Sequence, residues 1–382
     1  MTAQLTEKPS GNVAAGSRLI ANAAVANACF FRSGPEPGRR KALLKVTDRC
    51  DLRCSHCFVS ATQDGEDMPA SVLRRVIERL CAAGVANVTI TGGEPLLHPE
   101  LPEMLGDLVA AGLDVTVCTN GVSLDDTLIH RAIELGHIKF SVSLDGVRAS
   151  SHGKFRGNPH TFAHTVANAR RLAGAQLLNG VLCTPHDLME PDEHRELLAL
   201  ATELGARYLL LNPLSSFGRG MFNQRLAVDE QGMHAIQSEL ERAANGDSPQ
   251  RVFVRFPNSS KPLTPCIAGD ILYVFVNGNV TVCPYLVFAT ENPGAQHHAD
   301  EFIVGNLFDD ADIVDRIEAY DFHSRFRVGS NDTCSTCAHN AGCGKGCPAA
   351  VIANGGRIGD LDADVCPVSP SARPVSVDIR SH

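Results

Sequence analysis

Six short β-rich runs alternate with amphipathic helical stretches between residues 42 and 245, and this alternation limits the fold more than any other feature of the chain. The runs are "ALLKVT", "NVTIT", "DVTVCT", "IKFSVSL", "LLNGVLCT" and "RYLLLN". Between them, apolar residues recur at three- and four-residue intervals. Val72, Leu73, Val76, Ile77 and Leu80 form one stripe, opposite Arg74, Arg75 and Glu78, and Leu101, Met104, Leu105 and Leu108 form another. Parallel strands need crossover helices on their outside, so six βα units build either an open doubly wound sheet or a curved partial barrel. Periodicity alone leaves both open.

The flanks read differently. Residues 1–41 are rich in Ala, Gly, Ser and Pro, with one short helix expected within "SRLIANAAVANACFF". The βα pattern breaks at "AANGDSPQ", so a second domain is expected over 246–370 and a tail over 371–382. That second region holds the strand-like pieces "RVFVRF" and "ILYVFVNGNVTVCPYL". After them comes "CSTCAHNAGCGKGC", which has too little apolar content to form a core of its own. No segment runs 18 residues without polar interruption and the N-terminus has no basic leader, so a cytoplasmic protein without a membrane partner is expected. A net charge of −9 offers no broad basic surface for nucleic acid.

Fourteen cysteines are many for a chain that needs no disulfides to fold, and clusters of reduced thiols point to metal. Cys50, Cys54 and Cys57 follow the first strand, on the sheet edge where parallel α/β folds place their sites. Zinc would want a fourth ligand nearby, and His56 is cramped between two of the three. Three thiolates suit a [4Fe–4S] cube with one iron left open for a substrate or cofactor.

The spacing C-x3-C-x2-C over 50–57, with "TGGEP" at 91–95 ending the next strand, resembles the radical S-adenosylmethionine (SAM) enzymes. The resemblance implies a partial (β/α)6 barrel whose open iron binds the amino and carboxylate groups of SAM. Reductive cleavage would then yield a 5′-deoxyadenosyl radical that takes a hydrogen from substrate. It implies SAM contacts from Gly92, Gly93 and Glu94 (amino group), Ser143 of "SLDG" (ribose), Arg156 of "KFRG" (carboxylate) and Asn120 of "TNG". The chemistry agrees, since glycines permit close approach and a carboxylate takes an ammonium. On residue type alone, Ser143 and Asp145 also suit a turn, and Arg156 a surface charge. His56 stands where the family usually has an aromatic, placed to pack on the cofactor.

The C-terminal cysteines resemble the SPASM extension with two auxiliary clusters. By that resemblance Cys334, Cys337, Cys343 and Cys366 bind the distal one, and Cys266, Cys283 and Cys347 the proximal one. The proximal cluster lacks a fourth thiolate, because Leu272 stands where some relatives have cysteine. A zinc ribbon on C-x2-C and C-x3-C is the alternative. Three iron–sulfur clusters are thus expected, served by an external electron donor such as a flavodoxin or ferredoxin.

Of the remaining cysteines, Cys29 is uninformative and Cys81 is expected in the core beside its helix stripe. Cys118 and Cys183 end strands at the site's edge, where either fills space or faces the cavity. Cys183 is the first candidate hydrogen donor and Cys118 the second. The resemblance leaves the substrate open. Pro284 replaces the aspartate that follows the matching cysteine in sulfatase maturases, and forty irregular residues cannot form the leader-binding domain of many peptide-modifying members. The expectation is therefore dehydrogenation or epimerisation of a small sugar-containing natural product. The alternatives are a peptide maturase with a separate leader-binding partner, or a non-catalytic iron–sulfur electron carrier.

Overall fold

The computed structural model describes residues 40–254, 263, 266, 268–269 and 271–369. Cys29, the helix expected within 17–31 and the tail over 371–382 lie outside the described residues. Six βα units appear where the pattern places them. The strands are β1 (Arg40–Thr47), β2 (Val85–Gly92), β3 (Asp114–Thr119), β4 (Ile138–Ser143), β5 (Leu178–Cys183) and β6 (Tyr208–Leu211). Their crossover helices are α1 (Ala70–Ala82), α2 (Leu101–Ala110), α3 (Asp126–Leu135), α4 (Thr161–Gly174), α5 (Glu193–Glu203) and α6 (Glu230–Ala243). Each strand pairs in parallel with the next. The sheet is open, with β7 (Gln250–Phe253) at one end, as a partial (β/α)6 barrel requires.

Alternation along the strands sorts side chains into two layers. Ala42, Leu44 and Val46 of β1, Val88 and Ile90 of β2 and Val115 and Val117 of β3 face outward. They pack on Leu73, Val76, Ile77 and Leu80 of α1 and Leu101, Met104, Leu105 and Leu108 of α2. Cys81 is a correction: the buried stripe ends at Leu80, and one step of about 100° around the helix carries Cys81 into solvent.

The sheet does not stop at residue 245. The run read as the first strand of a second domain is β7, hydrogen-bonded in parallel to β6. Further on, β8 (Ile271–Val274) pairs in parallel with β1 at the opposite edge, then turns through a hairpin into β9 (Asn279–Thr281) and β10 (Ile303–Asn306). Gly278 makes that hairpin with φ +85°, a conformation that side chains resist. The result is one ten-stranded sheet in the order β10-β9-β8-β1-β2-β3-β4-β5-β6-β7.

The inner layer explains why the cysteine-rich region needs little core of its own. Leu43, Tyr208, Leu210, Val252, Ile271 and Tyr273 of the sheet cluster with Tyr285, Leu286, Phe288, Phe302, Phe322 and Ile352 from the C-terminal region. The C-terminal region therefore folds against the inside of the barrel. The stretch 334–345, by contrast, has no buried residue. Among the described residues, no helix is long and apolar enough to cross a membrane.

Candidate active site

One cleft opens at the C-terminal ends of the strands. It is lined by Cys50, Cys54, Cys57, Gly92, Gly93, Glu94, Asn120, Ser143 and Arg156, so every SAM contact and N-terminal cluster ligand expected from the sequence meets there. Cys50 and Cys54 are buried, and burial pushes both free thiols up to about 12. The Arg156 guanidinium opposes that rise at Cys54, with Nη1 4.0 Å from Sγ, and the Leu52 N–H donates to Cys50 Sγ at 3.4 Å. Soft sulfur ligands with N–H donors turned towards them fit an iron–sulfur centre, and coordination would hold the thiols deprotonated. Among the described residues, no three His, Cys, Asp or Glu side chains converge on a single ion.

The glycines at the end of β2 serve the protein's own backbone. A Cβ on Gly92 would lie 2.5 Å from the Thr47 carbonyl oxygen, and one on Gly93 only 2.2 Å from that of Arg49. This close approach lets the Gly93 and Glu94 N–H groups donate to those two carbonyls, each at 2.8 Å, which locks the cysteine loop to β2. Glu94 is held inside the protein by three donors. It accepts from the Thr119 hydroxyl at 2.6 Å, the Asn120 N–H at 2.7 Å and the Leu96 N–H at 3.1 Å. Burial raises its carboxyl to about 7 against the pull of these three donors. Asn120 in turn donates from its side chain to Asp51 in the cysteine loop at 2.7 Å. Glu94 and Asn120 thus hold the ends of β2 and β3 to the loop.

Asp145, which suits a turn by residue type, is instead the buried hub of the far wall. It receives Arg156 Nε at 2.8 Å and the Thr184 N–H at 2.7 Å. Burial alone would raise its carboxyl, but the adjacent guanidinium holds it at about 2. Arg156 is itself buried by this pairing, so it is no surface charge, and its Nη groups are left to face Cys54 and the cleft. His56 Nε2 lies 3.8 Å from Asp145 and its ring stacks on Phe155 at 4.7 Å, with Phe155 stacked in turn on His186 at 3.8 Å. Burial lowers His56 to about 4, so it is neutral. Asp145 and Phe155 lie inside "SLDG" and "KFRG", stretches in which the sequence points to Ser143 and Arg156 instead, and His186 has no spacing signature.

Strand register separates the two candidate thiols. Cys118 sits opposite Ser141, whose hydroxyl meets Tyr208 Oη at 2.8 Å in the barrel interior, so Cys118 stands on the inner face. Cys183 alternates with Leu182 onto the other face, where it packs with Val181, Leu211 and the helix layer. Like Cys118, it also lines the cleft. A period of two thus sets the two thiols on opposite faces of the sheet, Cys118 inward and Cys183 towards the helix layer. Ser143 and Leu182 pair across β4 and β5 and line the cleft.

Cys347 is the buried one among the C-terminal cysteines. Cys283 and Cys347 each precede a short helix, α7 (Pro284–Ala289) and α8 (Pro348–Ala353). The Cys347 N–H donates to Asp362 at 2.7 Å. Asn331 Nδ2 donates to Cys334 Sγ, and the His339 N–H to Cys337 Sγ, both at 3.4 Å. Leu272 is fully buried in β8, facing the helix layer, and cannot stand in for a ligand.

Residues 44–201 match the radical SAM superfamily. The chain is similar to the PqqA peptide cyclase of Xanthomonas campestris pv. campestris, 27% identical over 354 residues, 88% of each chain. It is also similar to the mycofactocin maturase MftC of Mycolicibacterium smegmatis, 24% identical over 320 residues, 81% of this chain and 78% of the relative. In fold it resembles Streptococcus suis SuiB bound to S-adenosylmethionine, with TM-score 0.63 and 16% identity over 82% of this chain and 74% of that one. With the barrel, the three-cysteine loop and the GGEP strand end in place, residues 44–201 form a radical SAM domain, a kind that uses S-adenosylmethionine and a [4Fe–4S] cluster.

Proposed function

We propose that this enzyme modifies a peptide. The observation that carries the reading is the alignment with a peptide cyclase over 88% of both chains, a span longer than the barrel alone. A sporulation killing factor maturation protein of Bacillus subtilis, 27% identical over 245 residues, supports it. These relatives favour the peptide over the sugar-containing small molecule, and maturation over simple dehydrogenation or epimerisation.

Cys50, Cys54 and Cys57 would hold the cluster, and Gly92, Gly93, Glu94, Asn120, Ser143 and Arg156 would surround SAM. Bound there, the pair supplies one-electron cleavage of the sulfonium and a radical that removes hydrogen. The protein's own work is placement. Asp145 fixes Arg156 by its Nε, leaving the cationic Nη groups for a carboxylate. Glu94 and Asn120 fix the loop against β2 and β3. Phe58, Val59, Leu182, Leu210, Leu214 and Tyr285 give the cleft an apolar patch, which suits an uncharged side chain.

The C-terminal region reads as a SPASM domain with two further clusters, Cys334, Cys337, Cys343 and Cys366 on one and Cys266, Cys283 and Cys347 on the other. Anaerobically purified protein is expected to carry about twelve irons per chain if all three are [4Fe–4S]. Stoichiometric zinc with little iron would overturn the assignment. Anaerobic turnover with SAM, dithionite and the peptide encoded by a short reading frame beside the gene is expected to change that peptide's mass. Turnover of an aminocyclitol with no change in the peptide would reject the reading. Cys54→Ala is expected to abolish 5′-deoxyadenosine formation, whereas Cys337→Ala should retain it and lose peptide conversion.

A further inference from the structure

The segment after β6 is a strap across the cysteine loop. The Arg219 N–H donates to the Cys57 carbonyl at 2.9 Å, its Nε to the Cys54 carbonyl at 3.0 Å and its Nη1 to the Ala61 carbonyl at 2.8 Å. Asn223 Nδ2 adds the Ser55 carbonyl at 3.1 Å. A Cβ on Gly218 would lie 2.5 Å from the Cys57 carbonyl oxygen and 2.6 Å from that of Phe58, so the strap lies directly on the loop. Four carbonyls of one loop, two of them from the expected ligands, thus find their donors in two side chains and one N–H of this strap. Its leading residues Asn212, Pro213, Leu214 and Ser215, and Arg219 itself, also line the cleft.

We propose that Arg219 is a positioning residue that sets the shape of the cluster loop and, through its fixed positive charge, makes the cluster easier to reduce. This rests on the reading that Cys50, Cys54 and Cys57 hold a [4Fe–4S] centre. The physical argument has two parts. A guanidinium is permanently cationic and presents a rigid fork of donors, which is why it can bridge the Cys54 and Ala61 carbonyls at once. One-electron reduction by an external low-potential donor adds a negative charge to the cluster and its thiolates. A cation bonded to the backbone of one of those thiolates stabilises the reduced state more than the oxidised one, and charge and hydrogen bonding near the sulfurs are what tune such potentials. Asn223 shares the first role and not the second, because it carries no charge.

The test uses the reconstituted full-length enzyme with Arg219→Gln, Arg219→Lys and Asn223→Ala. The readouts are the cluster's midpoint potential, followed by EPR during a dithionite titration, and the rate of iron loss to a chelator. Arg219→Gln is expected to shift the potential to a more negative value and to speed iron loss several-fold. Arg219→Lys should keep a near-wild-type potential yet lose iron faster, since it keeps the charge and loses the fork. Asn223→Ala should speed iron loss at an unchanged potential. Equal shifts for Gln and Lys would overturn the role of charge, and wild-type chelation rates in all three would overturn the role of the strap. If Arg219→Gln holds no cluster, Lys and Asn223→Ala decide the outcome by the same criteria. Zinc in place of iron in the wild type would instead reject the cluster reading itself.

Discussion

At the scale of single residues, the site is built from polar groups that serve each other before they serve any ligand. Glu94 is the clearest case, with its carboxylate held by three donors in a buried position. Its raised folded value means that the folded chain holds this proton where the unfolded chain, with an ordinary value of 4.5, has lost it. Stability contributed by this group is therefore present below about 4.5 and falls as pH rises through about 7, by about 3 kcal/mol. In cluster-free protein, Glu94→Gln is expected to remove that slope from urea-unfolding stabilities measured between pH 4.5 and 8, and an unaltered slope would assign it elsewhere. The two thiols make the second residue-scale test. Cys183 packs in the helix-facing core, so Cys183→Ala should lower stability by about 1 kcal/mol and leave product formation intact. Lost product at unchanged stability would return it to the chemistry.

At the scale of elements, the barrel interior is narrow where β5 meets β6. A Cβ on Gly180 would lie 2.4 Å from Tyr208 ring atoms, and that ring is fully buried with its hydroxyl on Ser141. Gly180→Ala is expected to cost about 1–3 kcal/mol through overpacking, read as a lower urea midpoint at constant m-value. Tyr208→Ala should cost less in that background than in the wild type, as read by a double-mutant cycle, if the clash is the cause. The cysteine loop shows the same economy. It is hemmed by the end of β2 through Gly93, by the Phe155 carbonyl accepting from the Ser55 N–H at 2.8 Å, and by the strap carrying Arg219. Three elements far apart in sequence fix one short loop.

At the scale of the molecule, the ten-stranded sheet joins the two halves that the break near residue 245 suggested were separate. Both flanks of the six-strand core are closed by strands from the C-terminal half, β7 on β6 and β8 on β1. The inner layer of the barrel takes much of its apolar partner surface from Tyr285, Phe288, Phe302 and Ile352. A fragment of residues 40–245 would expose two sheet edges and that inner face, so it is expected to aggregate or unfold without a sharp transition. The full chain should show cooperative melting by calorimetry. A fragment that melts cooperatively near the full chain's temperature would show the halves to be independent.

The number, order and helix-facing residues of the βα units were legible in the sequence, because periods of 2 and 3.6 are local properties and each stripe marks its own buried face. The three-cysteine loop and the GGEP end were legible because their spacing is itself the signal. Three things were decided only by tertiary structure. Cys81 and Leu80 are neighbours, yet one is in solvent and the other in the core, since helix rotation relative to the sheet sets the margin of the stripe. Cys118 and Cys183 both end strands, yet register and strand parity put them on opposite faces. Asp145 is read from the sequence only as a turn residue of "SLDG", and Arg219 has no local pattern at all. Their importance comes from partners 11 and 165 residues away, Arg156 and the Cys54 carbonyl, and a long-range hydrogen bond is written in no stretch of sequence short enough to read.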